Sequence, residues 1–378
     1  MRITTLIQIL FTLVKIFMFI FAGSASGFQE YLVYQSEQSQ ESPDIDNGLV
    51  VWQELVGSDW DVFAADITDL QNPYAFAVVE YPDDQTNPAV YGNMIVWQDH
   101  VDTNWGVYGV DIGSIEDIFT IADYDQDQMN PAIYENTVVW QDSYYGDWDV
   151  YTADITDLDN LVETLVTPFE EDQQSPAIYN NTIVWENGTE PDIDIYETDI
   201  TDSADPQTFL VSGFEYDQYA PAIYGSTVVW NDNFYGDPDI MSADIFEPAR
   251  PAELTIATDA SSQDNPDIDG HLIVWQDDCY GDWDIFAYNT TTGKEFLVTD
   301  NGYDQINPAI SGDLVVWQDN RSGTWNIYAA RLDQAVADAC LSKPTGDINN
   351  DCKVDLIDFV EIASSWLECN LETQGYCF

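Results

Sequence analysis

Residues 128–154 read QMNPAIYENTVVWQDSYYGDWDVYTAD, and versions of this stretch recur along most of the chain. An apolar run ends in Trp140, a proline stands nine residues before it, and a glutamine stands three residues before the proline. The tryptophan recurs seven times, at intervals of 45, 43, 45, 45, 45 and 42 residues, as Trp52, Trp97, Trp140, Trp185, Trp230, Trp275 and Trp317. Sevenfold agreement at three positions predicts seven structural repeats.

One repeat fits four short strands. In the third repeat these are residues 131–134, 137–141, 149–153 and 163–167, with polar turn residues between them. Helical periodicity is absent from residues 30–332. A period of 40–45 residues with four strands is typical of a β-propeller blade.

The two ends of the repeat region are complementary. The seventh repeat supplies strands at 308–311, 314–319 and 325–332 but no fourth, while Tyr31–Tyr34 matches Phe296–Thr299 of the sixth repeat. An N-terminal strand that completes the last blade would leave no open edge. The sequence therefore predicts an all-β, seven-bladed propeller over residues 30–332, followed by a small calcium-loop and helix tail over residues 340–378.

These repeats resemble the TolB-like and WD-like propeller repeats of bacterial envelope and secreted proteins. The resemblance lies in Pro-x-Ile, Val-Val-Trp-Gln-Asp and Trp-Asn-Ile-Tyr, which are clearest at 308–328. It implies the fold. It leaves function open, because such propellers serve as binding platforms and as enzyme scaffolds alike.

The first 26 residues have the features of a secretory signal peptide. Met1-Arg2 precedes an apolar run, Ile3–Phe21, and small residues follow. Lys15 within the run argues against a permanent membrane span, although an uncleaved anchor is the alternative. We expect a secreted or cell-surface protein without a membrane span in its mature form.

The charge balance excludes one class of partner. The chain has 8 Lys+Arg and 70 Asp+Glu, for a net charge of -62. Such a field repels nucleic acid, which excludes nucleic-acid binding, and it favours counter-ions such as divalent cations. The 13 Trp, 22 Tyr and 17 Phe supply ample apolar surface for a core.

Acidic and aromatic residues concentrate in two kinds of loop that antiparallel strands place on one face of the disc. These loops join the second strand to the third and one blade to the next. Three interpretations of this face stay open: structural capping of loops, calcium binding, or binding of a neutral polysaccharide. The candidate ligand residues are Trp60, Asp147, Trp148, Asp149, Asp194, Asp239, Asp282, Trp283, Asp284 and Trp325.

The sequence favours a binding protein over an enzyme. His100 and His271, the chain's two histidines, fall in different loop types of different repeats, and no nucleophile–base pair recurs. A pair of carboxylates could run glycoside hydrolysis, but 70 acidic residues do not single out a pair. The alternative is an extracellular glycoside hydrolase or lyase on a propeller scaffold.

Residues 347–358 have the spacing of an EF-hand calcium loop. The oxygen ligands would be Asp347, Asn349, Asp351, Asp355 and Asp358, with the backbone carbonyl of Lys353 at position 7. Ca²⁺ is therefore the one cofactor that the sequence predicts. The alternative is an Asp/Asn-rich turn that caps a helix.

The tail resembles one half of a type I dockerin, with Cys352 where glycine is usual. The resemblance implies attachment to a cohesin-like protein or another cell-surface component. Four cysteines in this small segment predict two disulfides with open connectivity. One pairing would join Cys352 to Cys369 and Cys340 to Cys377.

Overall fold

A computed structural model describes residues 28–332, apart from residues 102, 167–168, 190, 203–205, 215, 235, 247–252 and 259–260. The chain divides into two units, Met1–Leu332 and Asp333–Phe378. The predicted signal peptide, calcium loop and disulfide cysteines lie outside the described residues and stay predictions.

The described residues form seven four-stranded antiparallel sheets, and the sevenfold propeller is confirmed. Blade 1 contains β2 (Gln40–Asp46), β3 (Leu49–Val56), β4 (Asp59–Asp66) and β5 (Tyr74–Val79). Blade 2 contains β6 (Gln85–Tyr91), β7 (Met94–Val101), β8 (Asn104–Asp111) and β9 (Phe119–Ala122). Blade 3 contains β10 (Gln128–Tyr134), β11 (Thr137–Asp142), β12 (Asp149–Asp154) and β13 (Glu163–Leu165).

Blade 4 contains β14 (Gln173–Tyr179), β15 (Thr182–Thr189), β16 (Asp192–Asp199) and β17 (Gln207–Ser212). Blade 5 contains β18 (Gln218–Tyr224), β19 (Thr227–Asp232), β20 (Asp239–Asp244) and β21 (Glu253–Ala257). Blade 6 contains β22 (Gln263–Asp269), β23 (Leu272–Asp277), β24 (Asp284–Asn289) and β25 (Lys294–Leu297). Two single-turn 3₁₀ segments, Ile112–Ser114 and Leu158–Asn160, are the helical elements of the described chain.

Blade 7 joins the two ends of the propeller. It contains β26 (Gln305–Ser311), β27 (Leu314–Asp319) and β28 (Asn326–Arg331), and its fourth strand is β1 (Glu30–Leu32). Glu30 pairs with Ala330, and the Arg321 guanidinium contacts the Glu30 and Asp319 carboxylates. The predicted closure by an N-terminal strand is confirmed.

The repeated tryptophans form the core between blades. All seven indole side chains are fully buried, and each lies on the second strand of its blade. Trp52, for example, packs with Ile45 of its own blade and Val316 of blade 7. Burying an indole of this size supplies a large apolar contribution at each blade interface.

A polar ring around the axis is formed by the residues before the repeated prolines and by the side chains that follow the repeated tryptophans. The residue before each proline has a φ between 49° and 53°, which interrupts the register of the first strand. Its backbone N–H donates to the side chain that follows the tryptophan of the preceding blade, as Ser175 does to Gln141 at 3.0 Å. The same bond occurs at all seven interfaces, with N···O distances of 2.8–3.2 Å. It therefore fixes the spacing of the blades.

Candidate functional site

The face that the sequence singled out is built from interlocked loops. We call it the loop face; it carries the loops between second and third strands and the blade-to-blade loops. The backbone N–H of Trp148 donates to Asp172 Oδ1, in the loop that leads to the next blade, at 3.0 Å. Trp60 donates to Asp84 at 3.0 Å and Trp283 to Asp304 at 3.2 Å in the same way. These loop carboxylates act as structural caps.

Most of the predicted acidic ligands point into the loops. Asp149, Asp239 and Asp284 are 5%, 1% and 1% exposed, and Asp194 is half-buried. Thr299 Oγ1 donates to Asp284 Oδ1 at 3.3 Å. Burial, followed by the charge of Asp147, raises the pKa of Asp149 to about 6. These four carboxylates contribute more to the packing of the loop face than to its exposed surface.

Calcium binding on the propeller stays a prediction. Within the described parts of residues 28–332, no three His, Cys, Asp or Glu side chains are grouped to hold a metal ion. Asp61 is 4% exposed, and its burial, together with the charge of Glu80, raises its pKa to about 7.

The exposed aromatic residues of the loop face are different from those predicted. Trp60, Trp148, Trp283 and Trp325 are half-buried, as are Asp147 and Asp282. Two groups of more exposed rings lie beside them. We call Tyr124, Tyr144 and Tyr145 the tyrosine platform, and Phe214, Tyr216 and Phe234 the phenylalanine platform.

The tyrosine platform joins blades 2 and 3. Tyr144 lies 6.4 Å from Tyr124 and 5.1 Å from Tyr145 between ring centroids. The three rings are 45%, 56% and 69% exposed. A tight turn keeps Tyr144 and Tyr145 exposed to solvent. In this turn Gly146 has a φ of 103°, and its N–H donates to the backbone carbonyl of Ser143 at 3.1 Å. The signal in the sequence was the Tyr-Tyr-Gly at this loop tip, which the neighbouring repeats lack.

The phenylalanine platform lies between blades 4 and 5. Phe234 is 6.3 Å from Phe214 and 6.2 Å from Tyr216 between ring centroids. All three side chains are about half exposed. The loop face thus presents two aromatic surfaces, both on loops that are rich in aspartate.

The central channel carries a second set of polar groups. Its cavity has a volume of ≈ 450 Å³ and is lined by the seven X-Pro pairs described above. Asn87 Nδ2 donates to Asn130 Oδ1 at 2.9 Å, and Asn265 to Asn307 at 2.7 Å. Glu186 replaces the amide found at this position in the other six blades, and burial raises its pKa.

The opposite end of the channel is partly aromatic. Tyr91, Tyr134, Tyr179 and Tyr224 follow one another around it, with neighbouring ring centroids 4.7–4.8 Å apart. Asp46, Asp269 and Ser311 occupy the other three equivalent positions. We call this side of the disc the hairpin face, because the turns between first and second strands lie on it.

Comparisons with known proteins identify the fold. No family model matches the chain, and no curated protein matches it. Of the solved structures, one described as prolyl endopeptidases has a TM-score of 0.62 and 10% identity, covering 81% of this chain and 48% of that one. A Mycobacterium tuberculosis puromycin-hydrolyzing peptidase has a TM-score of 0.60 and 11% identity, covering 82% and 55%.

A third solved structure matches over nearly its full length. It is an oligogalacturonate lyase in complex with manganese, with a TM-score of 0.59 and 12% identity, covering 83% of this chain and 95% of that one. Our chain spans about half the length of the two peptidases. At these identities the similarity shows the β-propeller fold alone, and it carries no activity to this chain.

The described residues contain no helix that is long and apolar enough to cross a membrane.

Proposed function

We propose that this protein is a secreted or cell-surface binding propeller that recognises a neutral polysaccharide on its loop face. The observation that carries the proposal is the pair of exposed aromatic platforms among carboxylates. Sugar rings stack on aromatic side chains, and their hydroxyl groups donate hydrogen bonds to carboxylate and amide oxygens. A ligand with several sugar units could contact more than one platform.

The charge of the protein limits the ligand class. Because the whole chain has a net charge of -62, it repels an anionic polysaccharide unless cations bridge the two. A neutral chain avoids this repulsion. In the same proposal, the dockerin-like tail binds Ca²⁺ and attaches the propeller to a cohesin-like protein or another surface component, which would bring the loop face to an extracellular substrate.

A glycan-array screen of the full chain tests this function. It should be run with calcium and with chelator, and hits should be measured by calorimetry. We expect saturable binding to neutral glycans. The double variant Tyr144→Ala, Tyr145→Ala should weaken that binding at least tenfold, about 1.4 kcal/mol.

The matched control is Tyr74→Ala. Tyr74 is 70% exposed but lies beside Asn47 and Asn93 on the hairpin face, so its loss should leave glycan affinity unchanged. A blank array in both conditions would contradict the proposal and favour protein–protein scaffolding. Breakdown of a bound glycan during the assay would instead support the alternative function, an extracellular glycoside hydrolase or lyase.

A further inference from the structure

In blade 4, Glu197 differs in type from the residues at the equivalent position of the other blades. The glycan site proposed on the loop face does not involve it. Glu197 lies on β16 and pairs with Val184, the residue before the blade's tryptophan. The equivalent position in the other six blades holds a small side chain or none: Ala64, Gly109, Thr152, Ser242, Ala287 and Ala329. The fold therefore does not require a carboxylate at this position.

The Glu197 side chain is largely buried and has no partner among the described residues. It is 7% exposed, and Ile195, two residues earlier on the same side of β16, packs with Val228 and Trp230 of blade 5. Among the residues that the structure describes, no cation or hydrogen-bond donor contacts the Glu197 carboxylate. Burial, followed by the charge of Asp199, raises the pKa of Glu197 to about 7. Most of this side chain has lost its hydration without gaining a protein partner, which is costly for a carboxylate, and its remaining exposure is toward the groove that it lines.

Glu197 lines an open groove between blades 4 and 5 on the hairpin face. The groove has a volume of ≈ 610 Å³. Its two carboxylates, Glu197 and Asp199, come from one strand. The other walls combine the aromatic and apolar side chains of Tyr179, Phe209, Ile245 and Phe246 with the neutral polar side chains of Asn180, Thr182 and Ser226. No lysine, arginine or histidine is among the lining residues of the described chain.

We propose that this groove binds an organic ammonium ion, with the charged nitrogen at Glu197 and the apolar part of the ligand against Phe209 and Phe246. The ammonium group would supply the charge and the N–H donors that the buried carboxylate lacks. The aromatic rings add cation–π attraction and a surface for an alkyl or aryl chain.

A hard divalent cation fits the groove less well. Ca²⁺ takes six to eight oxygen ligands and favours several carboxylates, whereas the groove offers two. Its other polar side chains, Asn180, Thr182 and Ser226, are neutral, and Phe209, Ile245 and Phe246 make the rest of its surface largely apolar. Asp199 is also engaged, since its Oδ1 accepts the backbone N–H of Thr201 at 2.8 Å. The same ammonium chemistry is carried by free amines and by lysine side chains, and the experiment separates these two sources.

Calorimetric titration of the full chain tests the proposal with three probes. 2-Phenylethylammonium has the charge and the apolar arm, 2-phenylethanol has the arm alone, and Nα-acetyl-lysine methylamide represents a lysine in a peptide. We expect saturable binding of the first probe and at least tenfold weaker binding of the alcohol. Comparable binding of the lysine derivative would assign the groove to a basic peptide, and weaker binding would assign it to a free amine.

Two variants remove the carboxylate without disturbing the fold. Glu197→Gln keeps the shape, and Glu197→Ser introduces the residue that blade 5 already has; both should weaken ammonium binding at least tenfold. The control is Glu186→Gln, which gives blade 4 the glutamine that most other blades have at this channel position. This variant also removes one carboxylate from blade 4, but it should leave ammonium affinity unchanged.

Unchanged affinity in Glu197→Gln, equal binding of the alcohol, or no saturable binding by the unsubstituted chain would overturn the proposal. The site is independent of the aromatic platforms. Glu197→Gln should therefore keep the glycan binding described above, so failure of either proposal is distinguishable from failure of the other.

Discussion

Replacing Glu197 by glutamine should stabilise the protein at high pH and have almost no effect at low pH. Burial raises the pKa of Glu197 from 4.5 to about 7 in the folded state. The folded state therefore holds this proton more tightly than the unfolded state does. The stability gained from the protonated form is fully present below pH 4.5 and is lost as the pH rises through 7.

The size of the effect follows from the pKa difference. A difference of about 2.5 units at 1.36 kcal/mol per unit gives an upper limit of ~3.4 kcal/mol. Since the carboxylate lines an open groove, solvent screening reduces this figure, and we expect ~2 kcal/mol. For a domain of this size, that corresponds to a rise in melting temperature of roughly 2–6 °C at pH 8.

The assay is thermal unfolding of the unsubstituted chain and of Glu197→Gln at pH 5, 6, 7 and 8. The quantity of interest is the difference in melting temperature between the two proteins at each pH, because the other carboxylates titrate in both. Asp199 and Tyr179 are the other titratable groups that line the groove. Glu37→Gln, which alters an exposed side chain, corrects for the loss of one negative charge. A difference that stays constant from pH 5 to pH 8 would show that Glu197 is solvated, and the argument from its burial would be wrong.

Four further outcomes are expected. Gln141→Leu leaves the backbone N–H of Ser175 unsatisfied and should cost about 1–3 kcal/mol in urea unfolding, whereas Gln141→Glu should cost less. Trp230→Ala opens a cavity between blades 4 and 5 and should cost about 3–5 kcal/mol, measured in the same way. Deleting residues 28–34 exposes the edge of β28 and should lower the melting temperature and promote aggregation, measured by light scattering. Asp347→Ala should remove one calcium ion per chain in equilibrium dialysis, and an unchanged count would contradict the EF-hand interpretation.

The fold was predictable because its determinants repeat. Trp140 and Gln128 occupy interfaces that recur seven times, so the sequence pattern alone was enough to predict the blades. The closing strand was predictable for a related reason, since blade 7 lacked a fourth strand that residues 31–34 could supply. The strand observed, Glu30–Leu32, begins one residue earlier and is shorter.

The candidate sites were less predictable, because exposure depends on how the loops interlock. Asp149 and Asp284 belong to an acidic loop pattern, yet they are buried once the loop closes. Tyr144 and Tyr145 resembled ordinary loop aromatics, but the Gly146 turn leaves them exposed. Sequence patterns locate such loops, whereas the direction of each side chain depends on contacts with the next blade.

The departures from the repeat are informative because the other blades show what the fold alone requires. Blade 4 carries two acidic departures: Glu186 in place of a channel amide, and Glu197 in place of a small residue. Glu186 accepts the backbone N–H of Ala220 at 2.8 Å, so the interblade bond explains it. Glu197 has no such bond in the described structure, although it lies at the same interface. Since a largely buried carboxylate lowers stability, and the other six blades fold with a small residue at this position, the fold itself gives no reason for Glu197, and the ammonium ligand proposed above would supply one.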